Sequence, residues 1–383
     1  GLRGWSAADR AVLRAPGARD EGAASPRPVR IAPGTVHAWL PHPPRPPTAG
    51  AVAVPGWDDV VSIASTGRTT AAVHADGTVS AYGLGHHGSL GDGDPQRHHA
   101  PIPRPVPGIT DARSVHAAGH AFFAIRTDGT VLAWGEGFLA RGGVRAGARA
   151  EPSPIPLRRP RDVVAIRDGV LHAIALLGTG RVAGWGVNLT GVLGERARTD
   201  ARVVGGLRGV VDVAAAGGAV VAVRASGRLC AWGNNAHGLL GVEPTGGQTS
   251  RPVALTGPTG VLQVAGGRDV ALALDDRGAV WAWGRGVHGV LGDGEVTDHV
   301  RARPRVVPGL PPARWVGAHG STGYAVDRDG GLWAWGSAAA LGDLACGAAP
   351  VPIPVPIPMP GPVLAVSGTH ALVGRADQTG AGA

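Results

Sequence analysis

Lysine is absent from this chain of 383 residues: all 36 basic side chains are arginine. No G-x-x-x-x-G-K-[ST] phosphate loop can therefore exist, however many glycines are present. Cysteine is almost absent too, with Cys230 in RLCAWG and Cys346 in DLACGAAP. Two cysteines exclude a disulfide framework, and neither stands among the four spaced ligands of a structural zinc site. No stretch reaches the roughly 18 uninterrupted apolar residues of a membrane helix. The best candidate, 210–223, is broken by Asp212, Gly217 and Gly218. The N-terminal GLRGWSAADRAVLR mixes charges where a secretory leader carries an apolar core. That leaves both a cytoplasmic protein and one secreted after processing open.

What the chain does have is glycine and proline, 64 and 33 of them, with 44% hydrophobic and only 17% charged residues. Enough apolar side chain is present for a large core, which excludes general disorder. Turn residues at this density point to many short strands. The net charge of +8 is spread along the chain without the basic block typical of a nucleic-acid-binding tail. Arginine without lysine, together with abundant Ala, Gly, Val and Pro, is the composition expected of a bacterium with a high-GC genome.

One pattern recurs: DGTVSAYG at 76–83, DGTVLAWG at 128–135, TGRVAGWG at 179–186, SGRLCAWG at 226–233, RGAVWAWG at 277–284 and DGGLWAWG at 329–336. Its aromatic anchors are Tyr82, Trp134, Trp185, Trp232, Trp283 and Trp335, at separations of 52, 51, 47, 51 and 52. Self-similarity at this period belongs to propellers or solenoids. Each copy opens on a tight turn and continues as an alternating strand with a small residue two positions after the first apolar one. Two apolar runs precede it, and a Gly-rich turn and a Pro-Val or Pro-Ile segment follow it. Proline removes ladder donors, so the last segment is the outer edge of a four-stranded blade. PVPIPVPIPMPGP at 350–362 takes that place in its repeat and reads as an outer strand rather than as a polyproline ligand.

The chain ends supply complementary half-repeats. PGTVHAWL at 33–40, with Trp39 as anchor and Leu40 in place of Gly, matches the third strand, and AVAVPG at 51–56 the fourth. VLAVSGTHALVGR at 363–375 matches the first two. The fold expected is all-β: a seven-bladed β-propeller of four-stranded antiparallel blades, closed by a blade shared between the termini. It occupies 31–376 as one domain, with a cap or tail at 1–30 and a short tail at 377–383. Trp5 and Trp57 fall outside the motif and are the candidates for exposed aromatics.

The Trp strand followed by G-x-N-x-x-G-x-L-G, as in WGNNAHGLLG at 232–241 and WGVNLTGVLG at 185–194, resembles the regulator of chromosome condensation repeat family, in a bacterial-type form. That resemblance implies a seven-bladed ring with a shared terminal blade. The family often places a histidine thirteen residues before the anchor, which His172 and His370 match. Thr69, Ala121, Ala219, Val270 and Thr322 stand there instead in the other repeats, which argues against a catalytic role for the position. EGFLARGG at 136–143 lacks the Leu-Gly ending and implies a reshaped loop. Exchange activity on a small GTPase, the role of the family's founder, uses a protruding insertion for which these even periods leave little room.

No G-x-S-x-G elbow and no Cys/His pair in a catalytic setting occurs, so no catalytic residue and no cofactor is assigned. His87, His237 and His288 share one repeat position but belong to separate blades, too far apart for one ion. His86-His87 and His98-His99, as neighbours in an extended chain, are expected to point to opposite sides. Asp92-Gly93-Asp94 and Asp293-Gly294-Glu295 lack the remaining ligands of a calcium loop. No metal is expected.

The connections from third to fourth strand diverge most: DGDPQRHHA at 92–100, RGGVRAGARAE at 141–151, ERARTDAR at 195–202 and DGEVTDHVRAR at 293–303. Symmetry puts them on one face, where a protein partner would meet Asp92, Asp94, His98, Arg141, Arg145, Arg149, Arg196, Arg198, Asp293, Glu295 and Arg301. The function expected is that of a monomeric, non-enzymatic interaction propeller, either a scaffold, a targeting module or an inhibitor. The alternatives are DNA or polyanion binding through the arginine-rich surface and an enzyme with a central-channel site. Nucleic acid is the less expected partner, and no membrane is expected.

Overall fold

A computed structural model describes residues 33–38, 51–142, 150–169, 172–194, 201–243, 246–337, 349–368 and 370–374. Strands β1 (Thr35–Ala38) and β2 (Val52–Ala53) come first in the chain. Blade 1 follows as β3 (Val60–Ser65), β4 (Thr69–His74), β5 (Val79–Gly85) and β6 (His98–Pro105). Blade 2 is β7 (Ala112–Ala118), β8 (Ala121–Arg126), β9 (Val131–Gly135) and β10 (Glu151–Pro156). Blade 3 is β11 (Val163–Asp168), β12 (His172–Leu177), β13 (Val182–Gly186) and β14 (Arg202–Val203). Blade 4 is β15 (Val210–Ala216), β16 (Ala219–Arg224), β17 (Leu229–Asn234) and β18 (Gln248–Ala254). Blade 5 is β19 (Val261–Gly266), β20 (Val270–Asp275), β21 (Val280–Arg285) and β22 (Val300–Val306). Blade 6 is β23 (Ala313–His319), β24 (Thr322–Asp327), β25 (Leu332–Gly336) and β26 (Val351–Ile357). The last strands, β27 (Val363–Ser367) and β28 (His370–Val373), join β1 and β2 in the sheet order β2-β1-β28-β27. The chain is therefore a seven-bladed propeller of antiparallel four-stranded sheets. β1 lies against β28 with Thr35 opposite Val373 and Ala38 opposite His370.

The repeat signature has a local cause in each part. In DGT, Asp76 Oδ1 accepts the Thr78 amide at 2.8 Å and Asp128 Oδ1 the Thr130 amide at 2.8 Å, fixing the hairpin turn. The glycine after the anchor carries φ of +111° at Gly83 and +100° at Gly135. A Cβ there would run into the carbonyl oxygens of Arg68 and His120, so no other residue fits. The anchors are buried, and each tryptophan ties its blade to the one before. The indole N–H of Trp134 donates to Ser89 O at 2.9 Å, Trp232 to Val192 O at 2.7 Å and Trp335 to Val290 O at 2.8 Å. Trp185 finds its acceptor, Leu139 O at 3.0 Å, in the reshaped EGFLARGG loop, where a single helical turn, α1 (Gly137–Ala140), replaces the usual Leu-Gly end. Blade 1 has Tyr82 instead, and its hydroxyl meets His370 Nε2 of the seventh blade.

Trp57 is not an exposed aromatic. It is fully buried, edge-on to Tyr82 at 5.1 Å, with its N–H donating to Ser80 Oγ at 2.7 Å. It fills space beside the one anchor smaller than tryptophan, a need that no repeat pattern announces. Trp5 and Trp39 lie outside the described residues, as do 1–30 and 377–383.

The innermost strands β3, β7, β11, β15, β19, β23 and β27 surround the axis, each touching the next around the full ring. Side chains stitch their edges together. Ser62 Oγ accepts the Val115 amide at 3.1 Å, Asp212 Oδ2 the Val264 amide at 2.9 Å and Gln263 Oε1 the Val316 amide at 3.1 Å. Each bond crosses from one blade to the next and satisfies a donor that the sheet leaves open. At the rim, the prolines of PIPRP in β6 and of PIPVPI in β26 block further strand addition.

Candidate functional site

Antiparallel pairing sets the polarity of the disc. Ser65 lies opposite Thr70, Thr69 opposite Gly83 and Gly85 opposite His98. The turns from first to second strand and the loops from third to fourth therefore emerge together, on what we call the upper face.

Two of these loops turn out to be one device. In blade 1, Asp92 Oδ1 accepts the Asp94 amide at 3.3 Å, and its Oδ2 meets His98 Nε2 at 2.8 Å, while His98 Nδ1 lies 2.9 Å from Gln96 O. In blade 5, Asp293 Oδ1 accepts the Glu295 amide at 3.2 Å, Oδ2 meets His299 Nε2 at 3.0 Å, and His299 Nδ1 lies 2.8 Å from Thr297 O. Each loop also reaches the next blade. The Gly93 amide donates to Pro152 O at 2.9 Å and the Gly294 amide to Pro352 O at 3.0 Å. The histidines are more basic than usual, first through the backbone carbonyls of Gln96 and Thr297 and then through the aspartates. Burial pushes the Asp293 carboxyl up, but His299, the Glu295 amide and Arg301 outweigh it and leave it below the usual range.

The candidate residues thus separate. Asp92, His98 and Asp293 brace their loops from within, and Arg301 Nη2 is held by Asp293 at 2.8 Å. Asp94 and Glu295 stand exposed on the loop tips. Arg141 pairs with the nearly buried Glu151 across the base of its loop. A glutamate at 141 would confront Glu151, so charge reversal there is a structural change as well as a surface one. Arg145, Arg149, Arg196 and Arg198 lie outside the described residues.

Sequence reasoning missed the brace at His299, although the spacing of six from Asp to His, shared by DGDPQRH and DGEVTDH, was in view. It also misplaced His86 and His87. They do not point apart, because His87 adopts left-handed backbone (φ 53°), as does His288 (φ 56°), and the two rings lie on one side with centroids 6.3 Å apart. His237, in the β17–β18 loop of blade 4, stands 3.8 Å from Asp269 in the β19–β20 turn of blade 5.

The axial channel is a cavity of about 180 Å³ with walls from all seven innermost strands. Much of its wall is alanine and valine, with His116, Arg167, Asp168, His319 and Tyr324 as its charged or titratable groups. Asp168 is reached by water yet surrounded by protein, and the lost hydration lifts its carboxyl to about 6, against the Gly119 amide bonded to it. Burial holds the His116 and His319 imidazoles below their usual pKa, with Arg167 and Arg113 adding to the effect at His116. Among the described residues, no group of three His, Cys, Asp or Glu side chains is placed to hold a metal ion.

A closed ring of seven four-stranded blades, five of them anchored by a described tryptophan and one by Tyr82, with its variable loops on one face, defines a propeller of the regulator of chromosome condensation type. The chain belongs to the RCC1-like domain family, which matches residues 34–373. It is 31% identical over 297 residues to the E3 ubiquitin-protein ligase HERC2 of Homo sapiens, an alignment covering 73% of this chain and 6% of that protein. To the protein pim1 of Schizosaccharomyces pombe it is 27% identical over 241 residues, 56% of this chain and 44% of that protein. The chain thus spans less than half the length of these relatives. Among solved structures, Prp20p of Saccharomyces cerevisiae superposes with a TM-score of 0.76 at 20% identity, covering 91% of this chain and 93% of that one. Human WBSCR16 does so at 0.76 and 21%, covering 90% and 99%. These two likenesses show the fold. Prp20p was described with its binding properties to Gsp1p and histones.

Proposed function

We propose that this chain is a non-enzymatic protein-interaction propeller, acting as scaffold, targeting module or inhibitor, and that its partner meets the upper face. The observation that carries this reading is the paired brace of blades 1 and 5. Each fixes its loop by an Asp–His contact and a bond to the next blade, while turning Asp94 or Glu295 outward. Loops ordered before binding lose little entropy when a partner docks, and such preorganisation favours affinity. Membership of a family whose relatives include a protein studied for binding Gsp1p and histones supports a protein as the partner.

The test is site-specific photocrosslinking in the native host. A benzophenone side chain at Asp94 or Glu295 should capture one discrete partner. The same group at Asp76, on the opposite face, or at Ile102, on the rim, should not. Equal capture from all four positions, or from Asp76 alone, would remove the upper face as the site. Replacing Arg145 and Arg149 by Glu should then weaken partner binding at least tenfold if their loop takes part, since interface arginines commonly contribute about 2 kcal/mol or more. For the polyanion reading, affinity for duplex DNA that falls steeply with salt would be the discriminating result.

A further inference from the structure

Where blades 1 and 2 meet, the upper face carries a cluster of basic side chains. His86 and His87 come from the β5–β6 loop, and His120 from the β7–β8 turn. Ring centroids are 6.3 Å apart for His86 and His87, 6.3 Å for His86 and His120, and 5.6 Å for His87 and His120. The rings are tilted by 36–39° to one another. Arg68, on the β3–β4 turn, and Arg97, late in the β5–β6 loop, direct their fields at the same imidazole: burial lowers the pKa of His86 first, then Arg97, Arg68, His120 and His87 lower it further. Among the described residues neither guanidinium has a carboxylate at ion-pair distance, whereas Arg141, Arg285 and Arg301 on this face each have one. His86 Nε2 is buried and has no hydrogen-bond partner.

The nearby carboxylates are already engaged or stand to one side. Asp92 and Asp94 face His98, and Asp168 accepts the Gly119 amide at 2.8 Å, with Glu136 beside it. The cluster therefore combines two guanidinium groups without a carboxylate at ion-pair distance among the described residues and an imidazole nitrogen without a hydrogen-bond partner. An acidic peptide segment complements that positive charge.

We propose that His86, His87, His120, Arg68 and Arg97 form the docking surface for an acidic segment of the protein partner, a run of Asp or Glu side chains, and that the histidines take up protons as it seats. This rests on the interaction reading above and locates its electrostatic anchor. Carboxylates arriving over Arg68 and Arg97 offset the positive field that, after burial, holds the His86 imidazole below its usual pKa. Affinity then rises as pH falls, by about tenfold for each histidine whose pKa increases by about one unit on binding.

The probe is an eight-residue polyaspartate peptide labelled with fluorescein, titrated by anisotropy with the full chain at pH 5.5 and 8.0. Binding should be at least tenfold tighter at pH 5.5. Arg68→Gln with Arg97→Gln should weaken it about tenfold or more at both pH values. His86→Asn, His87→Asn and His120→Asn together should bring the ratio between the two pH values close to one, asparagine being tolerated in the left-handed backbone of residue 87. His288→Asn, which alters the equivalent turn of blade 5, should leave binding unchanged. Melting curves verify that each variant is folded. Binding independent of pH, folded variants that bind like the parent, or a short DNA duplex that outcompetes the peptide would each overturn the proposal. If the peptide fails while Asp94 or Glu295 still crosslinks a partner, the interaction reading stands and this anchor falls.

Discussion

Asp212 is a test of how the ring is held together. It sits fully buried on the innermost strand of blade 4. Its Oδ2 accepts the Val264 amide of blade 5 at 2.9 Å, and its Oδ1 accepts Arg167 Nη2 of blade 3 at 3.1 Å. One carboxylate thus joins three consecutive blades. Asp212→Ala leaves an amide and a guanidinium facing a void, and removing one partner of a buried ion pair costs about 3–5 kcal/mol. Unfolding entropy near 2.1 cal/mol/K per residue gives roughly 0.7 kcal/mol/K for a ring of this size, so the loss corresponds to a Tm lowered by about 4–7 °C. Asp212→Asn keeps an acceptor for Val264 and should lose about half as much. Arg167→Ala should cost little more once Asp212 is Ala, because the two effects share one interaction. Calorimetry with urea titration at pH 7 measures all four states of the cycle. An Asp212→Ala protein melting within 1 °C of the parent, or strictly additive single and double variants, would refute the inference that this contact clamps the blades.

Three further outcomes are expected. Gly135→Ala, at φ +100° with its Cβ directed at His120 O, should cost more than about 2 kcal/mol in urea titration, whereas Gly108→Ala, also at positive φ but in open space, should cost distinctly less. Removing residues 361–383 takes β27 and β28 out of the shared blade, exposes edges on both sides of the gap and should lower Tm by more than 10 °C, while removing 1–30 should change it little. Burial pushes the His172 pKa down to about 4, so its contribution is present above pH 6.5 and lost as pH falls toward 4, a change of about 3 kcal/mol; His172→Leu should flatten that part of the stability curve.

The ring was legible because its cause is repeated. One aromatic-Gly strand every fifty residues requires the same positive φ each time, with the same interblade bond at each of the five described tryptophan anchors, and six copies report one geometry. Trp57 broke no visible rule and was misread, because its burial answers a single deficiency, the smaller anchor at Tyr82. The loops were harder for a different reason. Divergence marked them as places of specificity, yet Asp92, His98, Asp293 and Arg301 diverge little in role: the Asp-to-His spacing of six conserves a brace beneath changing letters. His86 and His87 looked opposed because an extended chain was assumed where the backbone turns left-handed. Arg68, Arg97 and His120 gather only after three separate turns are brought to one seam, and no local spacing encodes that.

The pairing of β1 with β28 has a consequence for how the protein is made. Over three hundred residues separate Ala38 from its partner His370. At translation speeds of about 5–20 residues per second, the first strand emerges roughly 15–70 s before the strand that completes its sheet exists. During that interval six blades can form in order behind it, but the circle stays an open arc with a bare strand at its leading end. Closure is thus timed by the ribosome, and a nascent chain stalled anywhere before Val363 presents that unpaired edge to chaperones, or to the arc of a neighbouring polysome.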